Sequence, residues 1–276
     1  MKRIKIIAFS LTVLWFSVMG AFAQNSNIVK TNLNRAEIDR IVKNFTAKEG
    51  EFRDALTNYV FNRSATIQTL GMGGQITGTY RRDSFMTFAK DGSRFEKITF
   101  FPMSTLKELV ITPEDIEDLG GINPFALEPS KVSFYNFNYV GKEKIDELNL
   151  HVFDVSPKVM PDAKSKLRLF TGRIWVDDRD LQIVKSKGKA VPETKESRYP
   201  IVETWRENIE GKYWFPAYSS SEDELVFDSG LAIKLKMRVK YTDYKLGRSE
   251  VKILDDEEEV KEDNPKPALS PTPKKP

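Results

Sequence analysis

The sequence predicts a mainly β, α+β fold: one meandering antiparallel sheet of about ten strands, a helix ahead of it and a helical insertion within it. Three observations carry this. Apolar and polar residues alternate at period two in about ten runs between residues 58 and 245. The gaps between runs hold Gly71-Met72-Gly73-Gly74, Asp91-Gly92, Asp177-Asp178, Glu210-Gly211 and Asp228-Ser229-Gly230, turn chemistry that suits hairpins rather than the long crossovers of parallel strands. One stretch at helical spacing precedes the first run.

Taken in order, the chain opens with Lys2, Arg3 and Lys5, an apolar run from Ile6 to Met19, and Ala21-Phe22-Ala23 before Gln24. This is the pattern of a cleavable secretory signal, residues 1–23. Its apolar run of about 14 residues is shorter than the roughly 20 that a membrane-spanning helix needs. The chain has no Cys, so no lipid anchor is available at the cleavage point, and a mature protein soluble outside the cytoplasm is expected.

Asn34 with Glu37 reads as a capping box, and Ile38, Ile41, Val42 and Phe45 recur at helical spacing. Gly50 is expected to interrupt or end this helix. The alternating runs then fall near 58–70, 75–90, 94–101, 132–141, 147–156, 167–177, 181–191, 201–209, 213–227 and 231–245. The clearest places Leu231, Ile233, Leu235, Met237, Val239 and Tyr241 on one face and Ala232, Lys234, Lys236, Arg238 and Lys240 on the other. An apolar sheet face must be covered. The segments free to do so are the first helix and the stretch from Pro102 to Ser130.

Within that stretch Met103, Leu106, Leu109 and Val110 cluster, and Thr112-Pro113-Glu114-Asp115 starts a capped short helix that Gly120-Gly121 ends. Phe125 and Leu127 add large apolar groups before the sheet resumes. The insertion is either a plain cover on the core or a movable lid over an apolar cavity. From Asp255 the chain becomes acidic and then rich in Pro and Lys, which predicts a disordered tail over 255–276 and one domain over 24–254.

Charge and composition exclude several functions. Of 43 Lys plus Arg, three lie in the first five residues, leaving 40 against 40 acidic residues. A neutral mature chain gives no reason to propose nucleic acid as a partner. Without Cys, and with His151 as the one histidine, disulfide frameworks, thiol nucleophiles and multi-histidine metal sites are out of reach. His151 with Asp154 could act as base and orienter, but no G-x-S-x-G elbow accompanies them. The expectation is a hydrogen-bonded strand histidine and no catalytic residue. Asp177, Asp178 and Asp180 lack the spacing of a calcium loop and read as turn carboxylates. The glycines at 71–74 precede a strand rather than a helix and read as a turn. Trp205, Tyr213, Trp214, Phe215 and Tyr218 read as cross-strand packing rather than a stacking platform.

The stretch Phe170-Thr171-Gly172-Arg173-Ile174-Trp175-Val176-Asp177, running into Leu181-Gln182-Ile183-Val184-Lys185, resembles the hairpin of periplasmic outer-membrane lipoprotein-sorting proteins, the Lol carrier-like group. The resemblance implies a periplasmic location and a strongly curved sheet, an incomplete barrel, wrapped over helices that line a pocket for acyl chains. Fold alone does not fix the activity. The expectation is a divergent, non-enzymatic binding or transfer protein without a cofactor. Its partner would be the acyl chain of a lipid or lipoprotein, with transient membrane contact. The cavity and lid would involve Met103, Leu106, Leu109, Ile116, Leu119, Phe125, Leu127, Trp175, Leu235 and Met237. The alternative is an envelope sensor or assembly factor that uses the same fold to engage a protein partner.

Overall fold

The computed structural model describes residues 27–112, 115, 127–164, 167–195 and 197–247. The expected signal sequence, the tail, most of the short insertion helix and the candidates Ile116, Leu119 and Phe125 lie outside them.

Helix α1, Arg35–Leu56, begins where the sequence places it. Asn34 accepts a hydrogen bond from the Glu37 amide at 2.9 Å, and the Glu37 carboxylate accepts from the Asn34 amide at 3.1 Å, so two otherwise unpaired helix donors are satisfied. The helix does not end at Gly50. Its apolar stripe continues through Phe52 and Leu56, both buried, and this burial outweighs the roughly 1 kcal/mol that a mid-helix glycine costs. The bare Gly50 backbone also admits Pro129, whose Cδ would stand 3.4 Å from an added Cβ.

Ten strands follow: β1 Tyr59–Leu70, β2 Ile76–Phe88, β3 Arg94–Phe100, β4 Tyr135–Ile145, β5 Leu148–Pro157, β6 Leu169–Asp177, β7 Ile183–Val191, β8 Val202–Ile209, β9 Tyr213–Val226 and β10 Ala232–Leu246. They form one antiparallel sheet in the order β3-β2-β1-β10-β9-β8-β7-β6-β5-β4, with β3 and β4 at its two open ends. Strands consecutive in sequence are neighbours in the sheet except β3 and β4, and the pairing of β10 with β1 joins two meanders into one surface.

The sheet bends round α1, which touches strands far apart in the order. Phe45 packs against Phe137 of β4 and Phe153 of β5, while Phe52 packs against Phe215 of β9. Between them Glu49, buried to 1 % exposure, takes a two-pronged hydrogen bond from Arg206 of β8, at 2.6 and 2.9 Å. The Arg206 guanidinium also lies 4.5 Å from the centre of the Phe52 ring. A buried pair of this kind fixes the helix along its length more than it adds net stability.

Two glycines allow a tight β6–β7 pairing. Gly172 faces Gly188, and a Cβ at Gly188 would come within 2.3 Å of the Thr171 carbonyl oxygen and 2.4 Å of the Phe170 ring. The two absent side chains leave room for Phe170 to lie across the hairpin.

Candidate functional site

The inner face of β1 and β10 carries Ile67, Leu235, Met237, Val239 and Tyr241, as strand alternation requires. Part of this face lies under the return segment after β3. The Thr105 amide donates to the Thr79 carbonyl at 3.0 Å, and the Thr79 amide donates to the Thr105 hydroxyl at 2.9 Å. At this crossing Gly78 is needed, because a Cβ there would stand 2.7 Å from the Thr105 carbonyl oxygen. Leu106, Leu109 and Ile111 then pack on the inner face. Further on, the Thr112 hydroxyl and amide both donate to Asp115, and the Asp115 amide donates back to the Thr112 hydroxyl, which is the cap read from the sequence.

Between this segment and the sheet lies a cavity of about 340 Å³, within the range of small-molecule sites, about 300–1,000 Å³. Its floor is Ile67, Leu235, Met237 and Val239, its walls include Leu225, Val202 and Ala190, and Leu109 and Ile111 roof it. Six hydroxyl-bearing residues line it: Thr112, Ser197, Tyr199, Thr204, Ser219 and Tyr241. The hydroxyls of Thr204 and Ser219 lie 2.9 Å apart and satisfy one another. Burial pushes the Tyr241 phenol up to about 12, against the pull of Arg63 and Ser219, so it stays neutral. Charged groups come from loops and the insertion: Asp115, Arg168 and Arg198. Arg198 is already paired with Asp228 and, at 3.8 Å, with Glu193. The described lining is therefore mainly apolar, with Asp115, Arg168 and Arg198 as its charged members.

The candidates read from the sequence divide accordingly. Leu109, Leu235 and Met237 line the cavity. Leu106 packs beside it on the same cluster. Leu127 is buried in the other cluster, with Ile41 and Phe45 of α1, so it anchors the return of the insertion. Met103 and Trp175 depart from expectation. Met103 is 92 % exposed, because it precedes the Thr105 crossing that brings the segment inward. Trp175 alternates with the inward Ile174 and Val176 and so points to the opposite face, where it joins Leu150, Val152 and Val184 and donates to Glu143 at 2.7 Å.

One polar constellation escaped the sequence reading. Arg63 of β1, 3 % exposed, shares the Glu96 carboxylate of β3 with Arg82 of β2, at 2.6 and 2.7 Å, and Ser84 also donates to it. Burial alone would raise the Glu96 pKa, but Arg82, Ser84 and Arg63 prevail and hold it at about 2. The available signal was Arg63 itself, a charge standing where the alternation of Phe61, Ala65 and Ile67 calls for an apolar residue.

The candidate chemistries are not assembled. His151 and Asp154 point to opposite faces of β5, Asp154 pairing with Arg173 at 2.7 Å while His151 lies 3.4 Å from the Tyr139 hydroxyl. Asp180 is engaged by the Gln182 amide and the Trp214 indole, and Asp178 by Lys142. Phe215 is wholly buried, with Tyr213 stacked on it. Gly71–Gly74 is closed as a turn by the Gly71 and Gly74 amides.

No family model matches the chain, and no curated protein matches it. Solved structures do show a likeness. A LolA superfamily protein from Nitrosomonas europaea is 14 % identical with a TM-score of 0.34, over 74 % of this chain and 93 % of that one. A DUF1329 family protein from Desulfovibrio piger is 13 % identical with a TM-score of 0.38, over 75 % and 94 %. A domain described as an outer membrane lipoprotein-sorting protein, from Vibrio parahaemolyticus, is 11 % identical with a TM-score of 0.33, over 74 % and 93 %. At such identities and scores the likeness carries no weight on function, which must come from the cavity.

Proposed function

We propose that the chain is a carrier that holds the acyl chain of a lipid or lipoprotein outside the cytoplasm, without chemical conversion. The observation that carries this reading is the mainly apolar cavity between the inner face of β10 and Leu109 and Ile111. Each methylene removed from water contributes about 0.8 kcal/mol. About ten of them give roughly 8 kcal/mol gross, and after the cost of ordering chain and roof the capture is reversible, as a carrier needs. The export that the pattern of residues 1–23 suggests supports this reading, because outside the cytoplasm acyl chains must cross water.

The test is displacement of an apolar fluorescent probe by a long-chain fatty acid or lysophospholipid, in the wild type and in Ala190→Phe, which fills the cavity from β7. Uptake by the wild type and a loss of about tenfold or more in the variant are expected. Equal uptake by both would move the ligand elsewhere, and no uptake by the wild type would remove the proposal.

A further inference from the structure

The open end of the sheet at β3 is unlike the open end at β4. Edge strands are ordinarily protected by charge or by a covering segment, and β4 is partly covered by the Val29–Lys142 bridge and carries Lys142, Glu143 and Lys144. At β3, by contrast, Phe95, Ile98, Phe100, Phe101 and Met103 are all between 45 % and 92 % exposed. Five large exposed apolar groups within nine residues are a patch rather than scatter.

The patch is two-sided. Ile98 lies opposite Ser84, and Phe101 packs near Tyr80, on the inner side. Phe95, next to the inward Glu96, and Phe100, beside Arg81, belong to the outer side. The edge is therefore a wedge with apolar groups on both faces, a shape that a flat protein surface cannot bury but a fluid interface can. Its charge is matched to the same setting. From Arg81 to Lys107 there are six basic and three acidic residues, in a mature chain that is balanced overall. Asp83 is paired with Arg81, and Glu96 with Arg63 and Arg82, while Arg94 donates to the Tyr59 carbonyl, which leaves Lys90, Lys97 and Lys107 against Asp91. Lys97 and Lys107 have no ion pair among the described residues. The guanidinium groups of Arg81 and Arg82 lie 5.0 and 5.5 Å from the Phe100 and Phe101 rings, a mixture of ring and cation suited to the headgroup boundary of a bilayer.

We infer that the β3 edge, with Phe95, Phe100 and Lys97 at its centre, is a docking surface for an anionic lipid bilayer. Aromatic groups enter the acyl boundary while the basic residues meet the headgroups. The roof of the cavity starts at the end of this strand, so docking brings it to the lipid surface. The inference stands apart from the carrier reading, since a bilayer can hold the edge whether or not the cavity takes a ligand.

The experiment is co-sedimentation of the full chain with vesicles of phosphatidylcholine alone and with about one-third phosphatidylglycerol, at low and high salt. Salt-sensitive binding to the anionic vesicles is expected, reduced about fivefold or more in Lys97→Glu and about tenfold in the double variant Phe95→Ser with Phe100→Ser. Melting temperature and probe uptake should be unchanged in these variants. If the double variant melts early, Met103→Ser replaces it, because a side chain 92 % exposed has little packing to lose. Absence of binding to anionic vesicles, or undiminished binding by the variants, overturns the inference. So does a concentration-dependent dimer that the same substitutions abolish, which would assign the edge to a second copy of the chain.

Discussion

A single carboxylate holds three strands together at one end of the sheet. Glu96 of β3 is shared by Arg63 of β1 and Arg82 of β2, and removing it strips a buried guanidinium of that carboxylate. Glu96→Gln should cost about 3 kcal/mol at neutral pH. The sign with pH follows from a carboxyl held at about 2 against an ordinary 4.5. Its contribution is complete above about pH 4.5 and is lost as pH falls toward 2, so the denaturation midpoints of wild type and variant should converge on acidification. Curves that stay parallel down to pH 2 would refute this. His151 runs the other way in chemistry. Burial first, and then Lys142, lower its pKa, so the unfolded chain takes the proton more readily and stability falls as pH drops below the ordinary value of about 6.5. His151→Gln should flatten that part of the profile and leave ligand uptake intact. Loss of uptake in a folded variant would expose a role that its hydrogen bond to Tyr139 does not suggest.

Among the elements, strands and turns were legible because each half-buried strand announces itself by alternation. The ten runs match the ten strands to within a few residues, and Asn34 and Glu37 mark the helix start. Gly50 misled because propensity is local, while Phe52, Leu56 and the Glu49–Arg206 pair act across the sheet. The site was half legible. Leu109, Leu235 and Met237 were found from apolar clustering, whereas Trp175 required knowing which face of β6 looks inward, and Met103 required knowing where the segment turns. The roof decides between lid and core, and Leu109 is half-buried and held on one side by the Thr105–Thr79 pair. Leu109→Asp should therefore change stability by less than about 1 kcal/mol, because the carboxylate can turn to water when the roof lifts, while probe affinity falls about tenfold or more. A loss of several kcal/mol in ligand-free protein would make the segment a plug. Unchanged affinity would put the pocket elsewhere.

For the molecule as a whole, one helix fills part of a sheet too wide for it, and the remainder of the inner face is left to the insertion. That division follows from the sequence: α1 has apolar groups enough for β4 to β9, and the face of β10 and β1 must find another cover. Sequence alone could not say whether the cover fits closely or leaves space, since both arrangements use the same leucines. Occupancy of that space by an acyl chain is what makes the protein a carrier. Native mass spectrometry of the chain from Gln24 onward, purified without detergent and then offered a fatty acid or lysophospholipid, measures it directly. Co-purified lipid or uptake of one equivalent is expected for the wild type, reduced in Ala190→Phe; a bare mass that takes up neither ligand would contradict an occupied cavity.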